Sequence, residues 1–242
     1  MSPISQTIGV WYEGNEQEEG YENESYEGNR VMFAINHAAT GLIIKKIYPD
    51  VPITLILVSV QLIEIIWVVL NFIGVEKTTT ENRVQSVSDV HLEFMPFSHS
   101  VVSTAFLAAG AWILFALGFK AFDVGIAVAL GICSHLVLDL ISHARDIVIA
   151  PFLGSRKFGL GLYEKPAVAF AFETIYGIFC WWVYGGSTAL FWIIVLFNLA
   201  NASFFIKAIP GPEKYFAHKP IWIATVVALQ IIVTAVLVGL FS

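Results

Sequence analysis

Beyond residue 30 the chain alternates between long apolar runs and shorter polar connections. A hydrocarbon core of about 30 Å takes about 20 helical residues to cross, and most of the runs have that length. The pattern predicts helices over residues 31–46, 51–74, 98–119, 121–143, 166–184, 188–206 and 220–240. The first is short for a span and ends at Lys45-Lys46 before Ile47-Tyr48-Pro49-Asp50, a stop signal, so it is expected to be tilted or only partly inserted. The second carries Pro52 in its first turn and a single acid, Glu64, in its middle. Residues 75–98 read as a polar loop, and Lys120 marks a tight turn that should fold the third and fourth helices into an antiparallel hairpin. The connection 144–165 holds Arg145, Asp146, Pro151 and the Gly-rich Phe158-Gly159-Leu160-Gly161-Leu162, and is long enough to shape a pocket rim. The last two helices have no charged residue in their interiors and read as packing and anchoring elements. The expected fold is all-α, a polytopic membrane helix bundle of six to seven helices.

Composition agrees: 57% of residues are hydrophobic and 13% charged, with a mean hydropathy of +0.74, whereas soluble domains carry about 25% charged residues. Residues 1–30 are the exception. Seven glutamates (Glu13, Glu16, Glu18, Glu19, Glu22, Glu24 and Glu27) alternate there with Gly, Asn, Ser and Tyr, which predicts a disordered acidic tail. It has neither the basic region nor the short apolar core of a secretory signal, so no cleavage is expected. The tail accounts for the net charge of -6, and the charge therefore says little about partners. Three regions follow: the tail at 1–30, a membrane-embedded domain at 31–184 and two further membrane helices at 185–242. Cys133 and Cys180 fall in apolar helices and imply no disulfide framework. Basic patches interleaved with aromatics are absent, so nothing points to nucleic acid; membrane lipids are the expected partners, and nothing indicates an oligomeric state.

Lys77, Arg83, Arg145, Arg156, Lys157, Lys165, Lys207, Lys214 and Lys219 fall in the connections after the second, fourth and sixth helices, against Lys45, Lys46 and Lys120 on the other side. By the positive-inside rule the first group faces the cytoplasm.

Within this apolar framework the segment Ser134-His135-Leu136-Val137-Leu138-Asp139-Leu140-Ile141-Ser142-His143 stands out. Its His, Asp and His are four residues apart and share one helix face. The predicted topology brings His99, His37, Glu64 and Glu173 to the same half of the bilayer, on the cytoplasmic side, making seven metal-ligand side chains from five helices. A buried carboxylate costs roughly 2.5 to 3.5 kcal/mol on insertion scales, so Glu64, Asp139 and Glu173 together cost about 7 to 10 kcal/mol if charged and unpaired. The helix interiors supply no Lys or Arg, leaving histidine, protonation or a bound cation. A divalent metal held by histidine nitrogens and carboxylate oxygens answers all of these charges together. Each residue also has a plainer reading. His135 and Asp139 can be a hydrogen-bonded pair joining helices, Glu64 and Glu173 protonated carboxyls, His99 a helix cap beside the better cap Ser98, and His143 a solvated interfacial group. His91 and His218 read as surface residues, and Asp89, Arg145 and Asp146 as rim residues.

The early His in a small-residue helix, Gln61-Leu62-Ile63-Glu64, Phe97-Ser98-His99-Ser100 and Ser134-His135-Leu136-Val137-Leu138-Asp139 together resemble the YdjM-like inner-membrane metal-dependent hydrolases, distant relatives of zinc-dependent phospholipase C. The match covers residues 37–173. The resemblance implies that His37, His99, His135 and Asp139 are metal ligands, with zinc-activated water attacking a phosphate ester, in the inner membrane of a bacterium. Soluble relatives carry a second His-x-x-x-Glu pair where this chain has Ala169 before Glu173, so fewer than three ions are expected.

The leading expectation is therefore a membrane enzyme with one or two divalent ions, zinc by resemblance, held by His37, His99, His135, Asp139 and His143. Glu64 or Glu173 would accept the proton, and Arg145 or Arg156 would steady an anionic headgroup of a phospholipid substrate. Two rivals stand beside it: an ion or proton translocator using the same carboxylates and histidines, and a metal-binding protein without catalysis. Against the translocator counts the expectation that no interrupted helix pair marks a midplane site.

Overall fold

The computed structural model describes residues 33–84, 89–143, 145–151, 157–209 and 211–242. The acidic tail and Arg156 lie outside the described residues. The protein is an all-α helical bundle with a buried His/Asp/Glu group, and among the described residues five helices are long and apolar enough to span a membrane, six if one bent pair counts as a span.

The first helix, α1 (Ala34–Ile47), is about 21 Å long at 1.5 Å per residue, short of the hydrocarbon thickness. It lies enclosed by other helices, with every residue from Ala34 to Leu42 buried. Its run of Ala and Gly permits this: a Cβ on Gly41 would already touch Leu57 Cδ2 at 3.3 Å. Lys45 closes its end by donating to Pro49 O (2.5 Å) and Val51 O (2.9 Å).

Where the apolar pattern predicts one helix over 51–74, the chain makes two, α2 (Ile53–Val60) and α3 (Leu62–Phe72), bent by 54° at Gln61. Neither Gly nor Pro causes the bend. The Gln61 N–H turns back to Val58 O (3.2 Å), its buried amide reaches across to Ala34 O at the start of α1 (2.6 Å), and the Val60 carbonyl at the end of α2 is taken by His135 Nδ1 (2.7 Å). Tertiary partners satisfy the groups the interrupted ladder gives up, as at other side-chain-induced kinks. The expectation of uninterrupted helices is corrected at this point.

The segment expected to be plain loop contains a two-stranded antiparallel hairpin, β1 (Lys77–Thr80) and β2 (Val90–Phe94), with Lys77 opposite Phe94. It leads into α4 (Val101–Trp112), which continues through a wider π turn at Ile113–Gly118 and packs against α5 (Phe122–Ser142) after the turn at Lys120. Ser100, not Ser98, caps α4, accepting the Ser103 N–H at 3.2 Å. Gly131 lets α2 approach α5 closely, since a Cβ there would fall 2.9 Å from Ser59 Cβ.

Helix α6 (Pro166–Tyr184) has the predicted bounds, with Pro at its first position and Gly185 at φ 79° ending it. The run predicted over 188–206 divides at Asn201 into α7 (Thr188–Ala200) and α8 (Ala202–Phe205), Asn201 Oδ1 accepting from Gln230 Nε2 (2.9 Å) of α9 (Pro220–Phe241). Leu190, Ile194 and Val238 share one core with Ile35, Ala38 and Leu42 of α1. The outward residues, such as Phe106, Leu117, Trp182, Ile232 and Leu240, are apolar and exposed, the surface that lipid covers.

Candidate metal centre

Four separate stretches of backbone meet beside the break at Gln61. Helix α1 supplies His37, the first turn of α3 Glu64, the residues before α4 His99, and the last turns of α5 His135 and Asp139. His143 is the residue after α5, where the chain turns to extended backbone. All six residues are 2% exposed or less.

Asp139 is the hub. Its Oδ2 lies 3.2 Å from His135 Nε2 and 3.6 Å from His99 Nε2, while Oδ1 lies 3.5 Å from His37 Nε2 and 3.8 Å from His143 Nε2. Glu64 Oε2 closes one side, 3.2 Å from His99 Nε2 and 3.6 Å from His135 Nε2. The His37 and His135 rings stack at 3.8 Å between centroids. Two groups, His37 with His135 and Asp139, and Glu64 with His99 and His135, each bring their ligand atoms within 4.8 Å of one another.

The hydrogen bonds behind the rings fix which nitrogen faces inward. A carbonyl only accepts, so His135 Nδ1 donates to Val60 O (2.7 Å). His143 Nδ1 donates to the Asp146 carboxylate (3.1 Å). Ser98 gives its hydroxyl proton to Glu76 Oε2 (2.6 Å) and so receives the His99 Nδ1 proton (2.7 Å). In the neutral form of all three rings Nε2 is a bare lone pair, and it points at carboxylate oxygens that, when ionised, are themselves only acceptors. Nine atoms of this cluster have no hydrogen-bond partner among the described residues: both nitrogens of His37, Nε2 of His99, His135 and His143, and all four carboxylate oxygens of Glu64 and Asp139. Unpaired buried acceptors facing one another cost several kcal/mol, and a cation among them removes the conflict. Imidazoles held from behind by a carboxylate, a carbonyl or a hydroxyl are also what metal ligation requires of its outer partners. The donors fit a divalent ion, and the two groups, which share His135, are alternative positions for one.

The remaining expected residues fall elsewhere. Glu173, buried on α6, accepts from Asn36 Nδ2, which also donates to Asn198 Oδ1 (3.3 Å), and belongs to neither ligand group. Arg145 is exposed, whereas Asp146, expected on the rim, is buried behind His143. His91 pairs with Glu81 (2.9 Å) in the hairpin, away from the cluster, in line with a surface reading. Ser98 serves as a link to Glu76, not as the helix cap. Glu76 itself was not marked by any motif. It precedes β1 outside the spanning helices, and burial pushes its carboxyl up from the usual range, opposed by the hydrogen bonds it accepts from Ser98 and Phe97. Compared with known proteins, the chain matches no family model, no curated protein and no solved structure.

Proposed function

We propose that the protein is a membrane-embedded, metal-dependent hydrolase of a phosphoester, with a phospholipid headgroup as the substrate class. The observation that carries this reading is the set of histidine lone pairs and carboxylate oxygens facing one another around Asp139, with the backs of three rings pinned. His37, His99, His135, Asp139, His143 and Glu64 would hold one or two divalent ions, with zinc the ion that the resemblance favours. Such an ion supplies Lewis acidity and a water whose pKa is lowered toward about 7. Glu64 presents a second, unpaired oxygen, Oε1, and this is the group placed to accept a proton. Glu173, separated from the ligands by its bond to Asn36, is better suited to holding α1 and α6 together than to meeting a reacting atom. The substrate class rests on the sequence resemblance and on the position of the cluster near the helix ends that carry most of the basic residues.

Metal analysis of the detergent-purified protein, followed by release of phosphate or headgroup from mixed lipid micelles, tests the proposal. Stoichiometric metal together with metal-dependent release supports it; less than about a tenth of an ion per chain after gentle purification sinks it. Two observations favour a second reading, a cation or proton translocator: the interrupted helix at Gln61 beside the cluster, and the near-complete burial of every ligand. Proteoliposomes that pass protons or divalent ions, with no headgroup release, select that reading.

A further inference from the structure

Glu76 is 2% exposed, although it lies between the end of α3 and the start of a hairpin. The hairpin register places Lys77 opposite Phe94, so the residue before β1 and the residues after β2 run side by side at its base. There Glu76 Oε1 accepts the N–H groups of Phe97 (2.9 Å) and Ser98 (2.8 Å), and Oε2 accepts the Ser98 hydroxyl (2.6 Å). Ser98 Oγ in turn receives the His99 Nδ1 proton at 2.7 Å. We propose that Glu76 is a positioning residue for the metal ligand His99, acting through Ser98, so that the hairpin between α3 and α4 carries part of the metal centre. This rests on the metal-centre reading above.

The direction of the chain of hydrogen bonds is what matters. An ionised carboxylate has only acceptors, so Ser98 must donate to it and must accept from His99, and the Nε2 lone pair then faces Glu64 and Asp139. In Glu76→Gln the amide oxygen still holds the two backbone N–H groups, but the amide NH2 points at Ser98 Oγ and donates to it. The Ser98 hydroxyl then turns to His99 Nδ1, the ring proton moves to Nε2, and that nitrogen no longer binds a metal. One nearly isosteric change reverses the whole chain.

Zn2+ and Co2+ affinity, the visible absorption of the Co2+ form and the 15N shifts of histidine-labelled protein are the measurements. We expect Glu76→Gln and Ser98→Ala to bind about 10- to 100-fold more weakly with an altered Co2+ spectrum, as outer-shell changes do. Ser98→Thr, which keeps the hydroxyl, should retain most of the affinity and the wild-type spectrum. The 15N shifts should report His99 protonated at Nδ1 in the wild type and at Nε2 in Glu76→Gln, whether or not metal is present. Wild-type affinity and spectrum in Ser98→Ala overturn the proposal. Equal losses in Ser98→Ala and Ser98→Thr with a lowered melting temperature overturn it too, since they mark a merely structural role. If the wild type binds no metal yet the tautomer switches in Glu76→Gln, the positioning role of Glu76 stands and the metal reading fails.

Discussion

Consecutive residues of α1 enter two different buried polar clusters, and the contrast separates a ligand site from a structural one. His37 joins the group around Asp139, while Asn36, turned about 100° from it on the helix, meets Glu173 and Asn198. Both clusters are buried and, among the described residues, both contain a carboxyl group without a Lys or Arg partner. Around Asn36 an amide donor meets the Glu173 carboxyl, a second bond reaches Asn198 Oδ1, and Asn198 returns its own N–H to Ile194 O (2.9 Å). Two oxygens, Asn36 Oδ1 and Glu173 Oε1, lack partners there, against nine atoms around Asp139. Burial and residue type are shared; the balance of donors and acceptors is not. Only the cluster around Asp139 has the donor set that could hold a cation.

Removing the hub should break the contrast most sharply. Asp139→Asn is expected to lose metal by more than the roughly 100-fold that outer-shell changes reach, because it takes a charge from the centre of four imidazoles. Glu173→Gln should keep wild-type metal content by elemental analysis, with stability altered by only about 1 kcal/mol, because an amide still pairs with Asn36. Equal metal content in both variants would erase the distinction between the clusters.

Chelation comes next in size. A ligand at a thousand times its Kd stabilises a folded protein by about 4 kcal/mol, and here the metal would tie α1, α3, α4 and α5 together. EDTA is expected to lower the melting temperature of the wild-type protein by several degrees and to leave Asp139→Asn unmoved. Acid should act in the same direction. Histidine binds metal only when neutral, so affinity is expected to fall as the pH is lowered and protons displace the ion. Titrations of Co2+ absorption at stepped pH check this, and a flat profile would speak against imidazole ligation.

The apolar runs made most of the bundle legible, because helix length and hydropathy are local properties: α6 has its predicted bounds, and α5 differs by one residue at each end. His135 and Asp139 were legible for the same reason, since a spacing of four places them on one face whatever surrounds the helix. The break at Gln61 was not. Its causes are Ala34 O and His135 Nδ1, groups 27 and 74 residues away in the chain, or 75 from Val60 to His135, and no local pattern encodes them. The meeting of Glu173 with Asn36 was not legible either, because depth along a helix says nothing about which neighbour a carboxyl meets. Glu76 and Ser98 stayed hidden because their partnership depends on hairpin register in a segment that reads as loop.

The smallest expected effect comes from the close approach that sets the Val60 carbonyl on His135. A methyl group on Gly131 would lie 2.0 Å from Ser59 Oγ, 2.9 Å from Ser59 Cβ and 3.3 Å from its carbonyl carbon. The hydroxyl can rotate away, but Cβ and backbone cannot, so α2 must withdraw from α5 and loosen the bond behind His135. Helix propensity alone has the opposite sign, since Ala stabilises a helix interior over Gly by about 1 kcal/mol. Gly131→Ala is therefore expected to destabilise the protein by about 1 to 3 kcal/mol, the usual cost of overpacking, and to weaken metal binding a few-fold. Gly177→Ala makes the matching test at the other cluster, where a Cβ would fall 2.8 Å from both Asn36 Oδ1 and Ile194 Cγ2. That variant should lose stability with its metal affinity intact. A Gly131→Ala protein that melts higher than wild type and binds metal equally well would mean that α2 does not press on α5, and the His135 ring would then need another support.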